Sequence, residues 1–386
     1  MERVDEGLRT HANARERRPP AASARAAARM LVIAIAALCA GCADLGYYWQ
    51  SVRGHIGILR AAQPIEHWLD DAQAPAALKA QLALAQRMRR FAVAQLGLPD
   101  NASYTAYADL HRRAAVWNVV AAPAYSLTLQ TWCFPIAGCV SYRGYYDEAD
   151  AQAQAQELRG RGLEAAVYPV PAYSTLGWLN WAGGDPLLST FIGYPEGELA
   201  RIIFHELAHQ VVYVPDDTTF NESYASAVER LGTARWLAGE ADATAREEYA
   251  RLEGQRAQFR ALALETRERL QQIYDAGELP RDEPMLSERK TAVMADFRVR
   301  YAQLHARWNG PRRDAFDPWV ANANNALFGA LAAYDELEPA FEALFERERR
   351  VAADNPWPRF HAAVKRLAAL PPAEREHELR AELQAE

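Results

Sequence analysis

Between Phe204 and Gly232 the chain reads FHELAHQVVYVPDDTTFNESYASAVERLG, and this stretch restricts the fold more than any other. His205-Glu-Leu-Ala-His209 puts two imidazoles four residues apart, which on a helix is one face. The surrounding EGELARIIFHELAHQVVYV has no breaker after Gly197. The pattern predicts a first helix ending near Val212, a turn over VPDDTT and a second helix starting near Thr219. Helices joined so briefly return antiparallel. His209 then lies roughly 5 Å before the turn and Glu222 roughly 5 Å after it, while Glu229 stands about 15 Å up the second helix, above both histidines. His205, His209 and Glu222 thus become the ligands of a zinc site with one position left open, and Glu206 stands beside them to handle a proton. Two plainer readings compete. The histidines could be core residues satisfied by hydrogen bonds, and Thr219-x-x-Glu222 fits a capping box in which Glu222 merely closes a helix start.

The N-terminus reads as a targeting segment. Arg25 and Arg29 precede MLVIAIAAL, an apolar run too short to cross a bilayer, and CAGC follows. The ending resembles a bacterial lipobox, with Cys42 as the lipidated cysteine; an ordinary cleaved signal is the alternative. Residues 1–41 are therefore expected to be removed, and the protein to sit in the bacterial cell envelope, held on the outer membrane by its lipid and facing the periplasm. Residues 1–41 carry seven Arg against four Asp/Glu in a chain of net charge −7, which leaves −10 for the remainder. So acidic a body speaks against nucleic-acid binding. In an exported protein, Cys133 and Cys139 suggest a small disulfide loop, with two buried free thiols as the alternative.

The expected fold class is α+β, mostly α. An N-terminal helical segment is assigned to residues 42–104 and an α+β core carrying the site to 105–238. A helical C-terminal region fills 239–386. The strand candidates are AAVWNVVAAP, YSLTLQTW, GCVSYRGYY and EAAVYPVPAY, with DEADAQAQAQELRGRG as a helix among them. A long charged helical pair is expected to break at GELPRDEP, and NANNALFGALAAYDELEPAFEALF reads as one less charged helix.

FNESYASAVERLG resembles the glutamate helix of gluzincin metallopeptidases, above all the aminopeptidase N-like family, on a shorter connection than that family has. Glu222 corresponds to the third zinc ligand, and Asn221 and Ala225 match as well. With its lipobox, WCFPIAGCVSYRGYY, STLGW, HELAHQ and NNALFGALAAY, the chain after residue 41 resembles bacterial proteins grouped as aminopeptidases. The resemblance implies a zinc metallopeptidase acting on peptide substrates. It implies a tyrosine facing the oxyanion, for which Tyr334 is the candidate, with Tyr301 behind it. For both, a place in the core is the plainer reading. Glu229 resembles a second glutamate that would orient His209, and Asn221 would support the site from behind. The Gly-x-Met-Glu-Asn segment that holds the substrate amine in aminopeptidase N-like enzymes is missing from the sequence. Two other readings stay open: a non-catalytic zinc-binding lipoprotein that binds a partner, and an envelope structural protein. The oligomeric state is not legible in the sequence.

Overall fold

The computed structural model describes residues 46–134, 138–172, 174–176, 183–276, 283–335 and 337–384, with the side chains of 332–335 also outside the description. Contacts divide the chain into Met1–Arg53, whose described residues 46–53 are helical, and Gly54–Glu386. The larger unit runs α1 (residues 54–61), β1 (Ala62–Pro64), α2 (Ile65–Asp70), α3 (Ala76–Leu96), β2 (Ala106–Ala108) and β3 (Val116–Pro123). Next come β4 (Trp132–Phe134), β5 (Gly138–Val140), β6 (Arg143–Tyr145), α4 (Glu148–Gly160), β7 (Leu163–Val170) and β8 (Leu187–Leu188). The rest is helical: α5 (Glu196–Ala208), α6 (Thr218–Gly239), α7 (Ala243–Asp275), α8 (Glu283–His305), α9 (Asp317–Ala321), α10 (Asn325–Asp335), α11 (Glu338–Val351), α12 (Trp357–Ala368) and α13 (Pro372–Ala381). The fold is mostly α with three small sheets, as the sequence predicts. Among the described residues no helix is long and apolar enough to cross a membrane.

The largest strand pairing joins β3 antiparallel to β7, with Val119 opposite Val167 and Ala121 opposite Ala165; β6 flanks β3 on its other side. β3 is buried along nearly its whole length, the continuous apolar pattern of a central strand covered on both faces. α4 packs on β3 and β7, capped by Asp147, whose carboxylate accepts from Ala149 N at 2.8 Å. Val120, Ala122 and Ala166 meet Ala326 and Leu327 of α10.

α3, α5 and α6 form the centre of the main core. Phe91 stacks on Phe204 at 6.1 Å and meets Trp236 edge-on at 5.1 Å. A Cβ on Gly232 of α6 would stand 2.8 Å from Leu96 Cδ1, so glycine there lets α3 and α6 approach. That core draws on residues from Ile58 to Leu379. A second, aromatic cluster joins α7, α8, α9 and α10 around Phe259, Phe297, Trp308 and Phe328.

Several expectations change. YSLTLQTW contributes only Trp132 to a strand. Gly329 of α10 lies against this segment so closely that a Cβ would meet the Leu127 carbonyl at 2.5 Å, and Leu129 packs there too. The segment packs on the helix and touches the sheet through Gln130 N, which donates to Ala121 O of β3 at 2.8 Å. The helix expected over 322–345 is two, α10 and α11, because the chain restarts at Glu338–Pro339 with proline in the first helical turn. The last two helices, α12 and α13, part at Pro371–Pro372. GELPRDEP lies between α7 and α8, and residues 277–282 within it are outside the described residues.

Candidate metal centre

α5 begins after Pro195 with Glu196 and Glu198 in its first turn, where carboxylates favour the positive end of the helix dipole. Leu199, Ile203 and Leu207 bury one stripe, and the helix ends at Ala208 with His209 as its C-cap, four residues earlier than expected. The β-branched Val211 and Val212 and then Pro215 do not prolong it. Asp217 caps α6, accepting from Phe220 N at 3.0 Å, while its other oxygen takes the buried Arg375 guanidinium at 2.8 Å. Glu222 is therefore the fifth residue of α6 and closes no cap, which removes the capping-box reading. Asn221 accepts from Val214 N at 2.8 Å and donates to Val214 O at 2.7 Å. It pins the turn between the two helices and touches no candidate ligand side chain.

The two helices bring three donor atoms together. His205 Nε2 lies 3.2 Å from His209 Nε2 and 3.4 Å from Glu222 Oε2, and His209 Nε2 lies 3.7 Å from the same oxygen. A tetrahedral ion about 2.0–2.2 Å from each ligand requires those atoms to stand roughly 3.3–3.6 Å apart. His205, His209 and Glu222 thus fit a metal ion in spacing and in donor type. Among the described residues no fourth His, Cys, Asp or Glu joins the group.

Glu229 corrects the sequence reading in one respect. Its Oε2 accepts from His205 Nδ1 at 2.9 Å, so it orients His205 and not His209. The helices are antiparallel: His209 at the end of α5 meets Glu222 early in α6, and His205, one turn back, comes level with Glu229 within side-chain reach. Arg201, one turn before His205 on the same face, holds the other oxygen of Glu229. Burial alone would raise the Glu229 carboxyl, but Arg201 and the His205 bond hold it down to about 2. Burial would likewise lower His205; the Glu222 and Glu229 carboxylates raise it well above the usual histidine value. Burial lowers His209 to about 4, so that ring is neutral with a lone pair to offer. Its Nδ1 is buried without a hydrogen-bond partner. Glu222 stays below its ordinary value because the two imidazoles outweigh its burial.

Glu206 differs from every other carboxylate here. It makes no hydrogen bond or ion pair with any described residue, and burial is the main reason its carboxyl rises to about 7, with Glu222, Asp185 and Glu229 adding to it against His205. A half-buried carboxylate without a structural partner is available to a reacting proton.

Sequence reasoning missed the tyrosines from the β-rich part. Tyr142, between β5 and β6, is pushed well above the ordinary phenol value by burial, reinforced by Glu222, Tyr213, Tyr168 and Glu206. Tyr168 of β7 rises to about 12 by burial, against the bond it accepts from Asn118 at 3.5 Å. These hydroxyls keep their protons at neutral pH. No local pattern marks them. Arg201, by contrast, is legible at four residues before His205 on a helix.

Tyr334 lies on α10, but its side chain is outside the described residues. Tyr301 belongs to the second cluster and donates to Asp317 Oδ1 at 2.5 Å. Cys133 and Cys139 form a disulfide that pairs β4 with β5. Cys139 N donates to Asp216 Oδ1 at 2.6 Å, so the closed hairpin rests on the turn joining the histidine helix to the glutamate helix. Cys42 is outside the described residues.

A family model described as "Putative aminopeptidase" matches residues 46–379, and the chain belongs to that family. The family's name points to a peptidase. No curated protein and no solved structure matches the chain.

Proposed function

We propose that the protein is a zinc-dependent metallopeptidase, and, from the description of its family, an aminopeptidase. The observation that carries this reading is the pairing of three donor atoms at tetrahedral spacing with Glu206, a half-buried carboxylate that has no structural partner beside them. His205, His209 and Glu222 would hold the ion. Zinc held there would supply the chemistry of lowering a water's pKa to about 7 and polarising a carbonyl oxygen. Glu206 takes the proton of the attacking water and returns it to the leaving amine nitrogen. Glu229, fixed by Arg201, keeps the His205 ring turned with Nε2 toward the ion. Tyr142, in electrostatic reach of both Glu206 and Glu222, is a candidate oxyanion donor along with Tyr334.

The alternative, a zinc-binding lipoprotein without catalysis, leaves Glu206 unexplained: a closed structural site has four protein ligands. Envelope attachment through Cys42 is part of the proposal and rests on the leader sequence alone.

Turnover of a peptide library by wild type and Glu206→Gln, at matched metal content, tests the reading. The wild type should hydrolyse peptides and the variant should keep its metal and lose at least about 100-fold in kcat, the low end of general-base catalysis. Equal activity in both refutes the role of Glu206.

A further inference from the structure

A cavity of about 470 Å³ opens directly beside His205 and Glu206, within the size range of ligand pockets. It runs between α5, α6 and the second aromatic cluster. One wall is aromatic: Phe259 and Phe316 stack at 4.2 Å, and Trp319 meets Phe259 edge-on at 5.2 Å. Ile202 of α5 and Leu331 of α10 continue the apolar lining.

The opposite wall is charged but already matched. Arg201 is tied to Glu229, and Arg256 to Glu198 at 2.6 Å. Arg260 and Arg230 share Glu338, at 2.9 and 3.3 Å. An incoming acidic side chain would have to break one of these pairs or remain unpaired in a partly desolvated space, and a basic one could pair only by taking up Glu206, the carboxylate assigned to the reacting proton; either is unfavourable. An apolar side chain meets neither cost and covers the aromatic wall.

Resting on the peptidase reading above, we infer that this cavity receives a bulky apolar side chain of the substrate, such as Phe, Tyr or Leu, flanking the scissile bond. Ser226 sets the room available. It stands on α6 four residues after Glu222 and four before Arg230, on the face that looks into the cavity, and is its smallest lining side chain on that helix. A larger residue there would occupy the space the substrate side chain needs.

The test compares metal-loaded wild type with Ser226→Leu on peptides that differ only in Phe, Ala, Asp or Lys beside the cleaved bond. Calorimetric titration with phenylalaninol and alaninol, which contain no peptide bond, runs in parallel. In the wild type, kcat/KM for the Phe peptide should exceed that for the Asp and Lys peptides by on the order of 100-fold, the scale on which an apolar pocket discriminates. Ser226→Leu should lose most of that advantage, roughly 30-fold or more, while the Ala peptide changes by less than about 3-fold. Phenylalaninol should bind the wild type at least about 10-fold more tightly than alaninol and lose that margin in the variant. Should Ser226→Leu fail to fold, Leu331→Trp fills the same space from α10 and must give the same pattern. Turnover without preference, or preference for a charged residue, overturns the inference and leaves the peptidase reading intact. Selective phenylalaninol binding without turnover of any peptide overturns the peptidase reading and keeps the apolar pocket. Neither binding nor turnover overturns both.

Discussion

Glu229 acts on the site only through His205, and the size of that effect follows from its contacts. Its Oε2 takes the Nδ1 proton of His205 at 2.9 Å, and its Oε1 is held by Arg201. Removing the partner behind a metal-binding histidine typically costs 10–100-fold in affinity, which is about 1.4–2.7 kcal/mol. Glu229→Leu removes both the acceptor and the charge and should reach this range. It also deprives Arg201 of its main counter-ion. Glu253 at 3.8 Å and Glu198 at 3.9 Å remain near that guanidinium, so the loss of folding stability should be about 2–3 kcal/mol, under the 3–5 of a fully buried broken pair. Glu229→Gln keeps the shape and an oxygen for the Nδ1 proton, and its affinity should fall by about 10-fold or less. Competition against a chromophoric chelator, on protein lacking residues 1–42, measures the affinities, and urea unfolding measures the stabilities. A Leu variant that binds metal like wild type would refute the argument. So would a Leu variant that binds none while Glu222→Ala still binds, because Glu229 would then be the ligand.

Stability should also fall on mild acidification through His361. Its Nε2 donates to Leu96 O at 2.8 Å and its Nδ1 accepts from Tyr224 OH at 2.9 Å, a neutral ring joining α12 to α3 and α6. Burial lowers its pKa from 6.5 to about 4. The unfolded chain binds this proton below pH 6.5 and the folded chain only near pH 4, so this stabilisation is full above 6.5 and lost as the pH falls to 4. The loss amounts to roughly 3 kcal/mol. Urea unfolding from pH 7 to 4.5 should show wild type losing about 2–2.5 kcal/mol more than His361→Gln; parallel curves would contradict it. Fatty-acid labelling should mark the full-length wild type and not Cys42→Ser, and label remaining on the variant would place the anchor elsewhere.

The histidine helix and the glutamate helix were legible because their signals are local: H-E-x-x-H at helical spacing, Pro215 and two aspartates at the turn, an apolar stripe on either side. The α3, α4, β3 and β7 elements were legible for the same reason. Legibility ended where partners come from far along the chain. Tyr142 and Tyr168 approach the site from β-rich segments more than thirty residues before His205, and no periodicity in either segment points there. Glu229 was read one partner off, because the height estimate set it above both histidines and the resemblance gave it His209, while the fold brings His205, one turn back, within its reach. YSLTLQTW has strand composition, yet it packs closely on α10 at Gly329, a partner far along the chain that its own pattern does not show. Glu222 was ambiguous between ligand and cap until Asp217 was seen to cap the helix.

The metal content of the purified protein tests the central claim most directly. Elemental analysis of chain lacking residues 1–42 should find about one zinc per molecule in the wild type. His205→Ala, His209→Ala and Glu222→Ala, each folded by circular dichroism, should hold almost none. Full occupancy in any of the three variants, or a wild type that takes up no metal when offered zinc, would contradict the site described here.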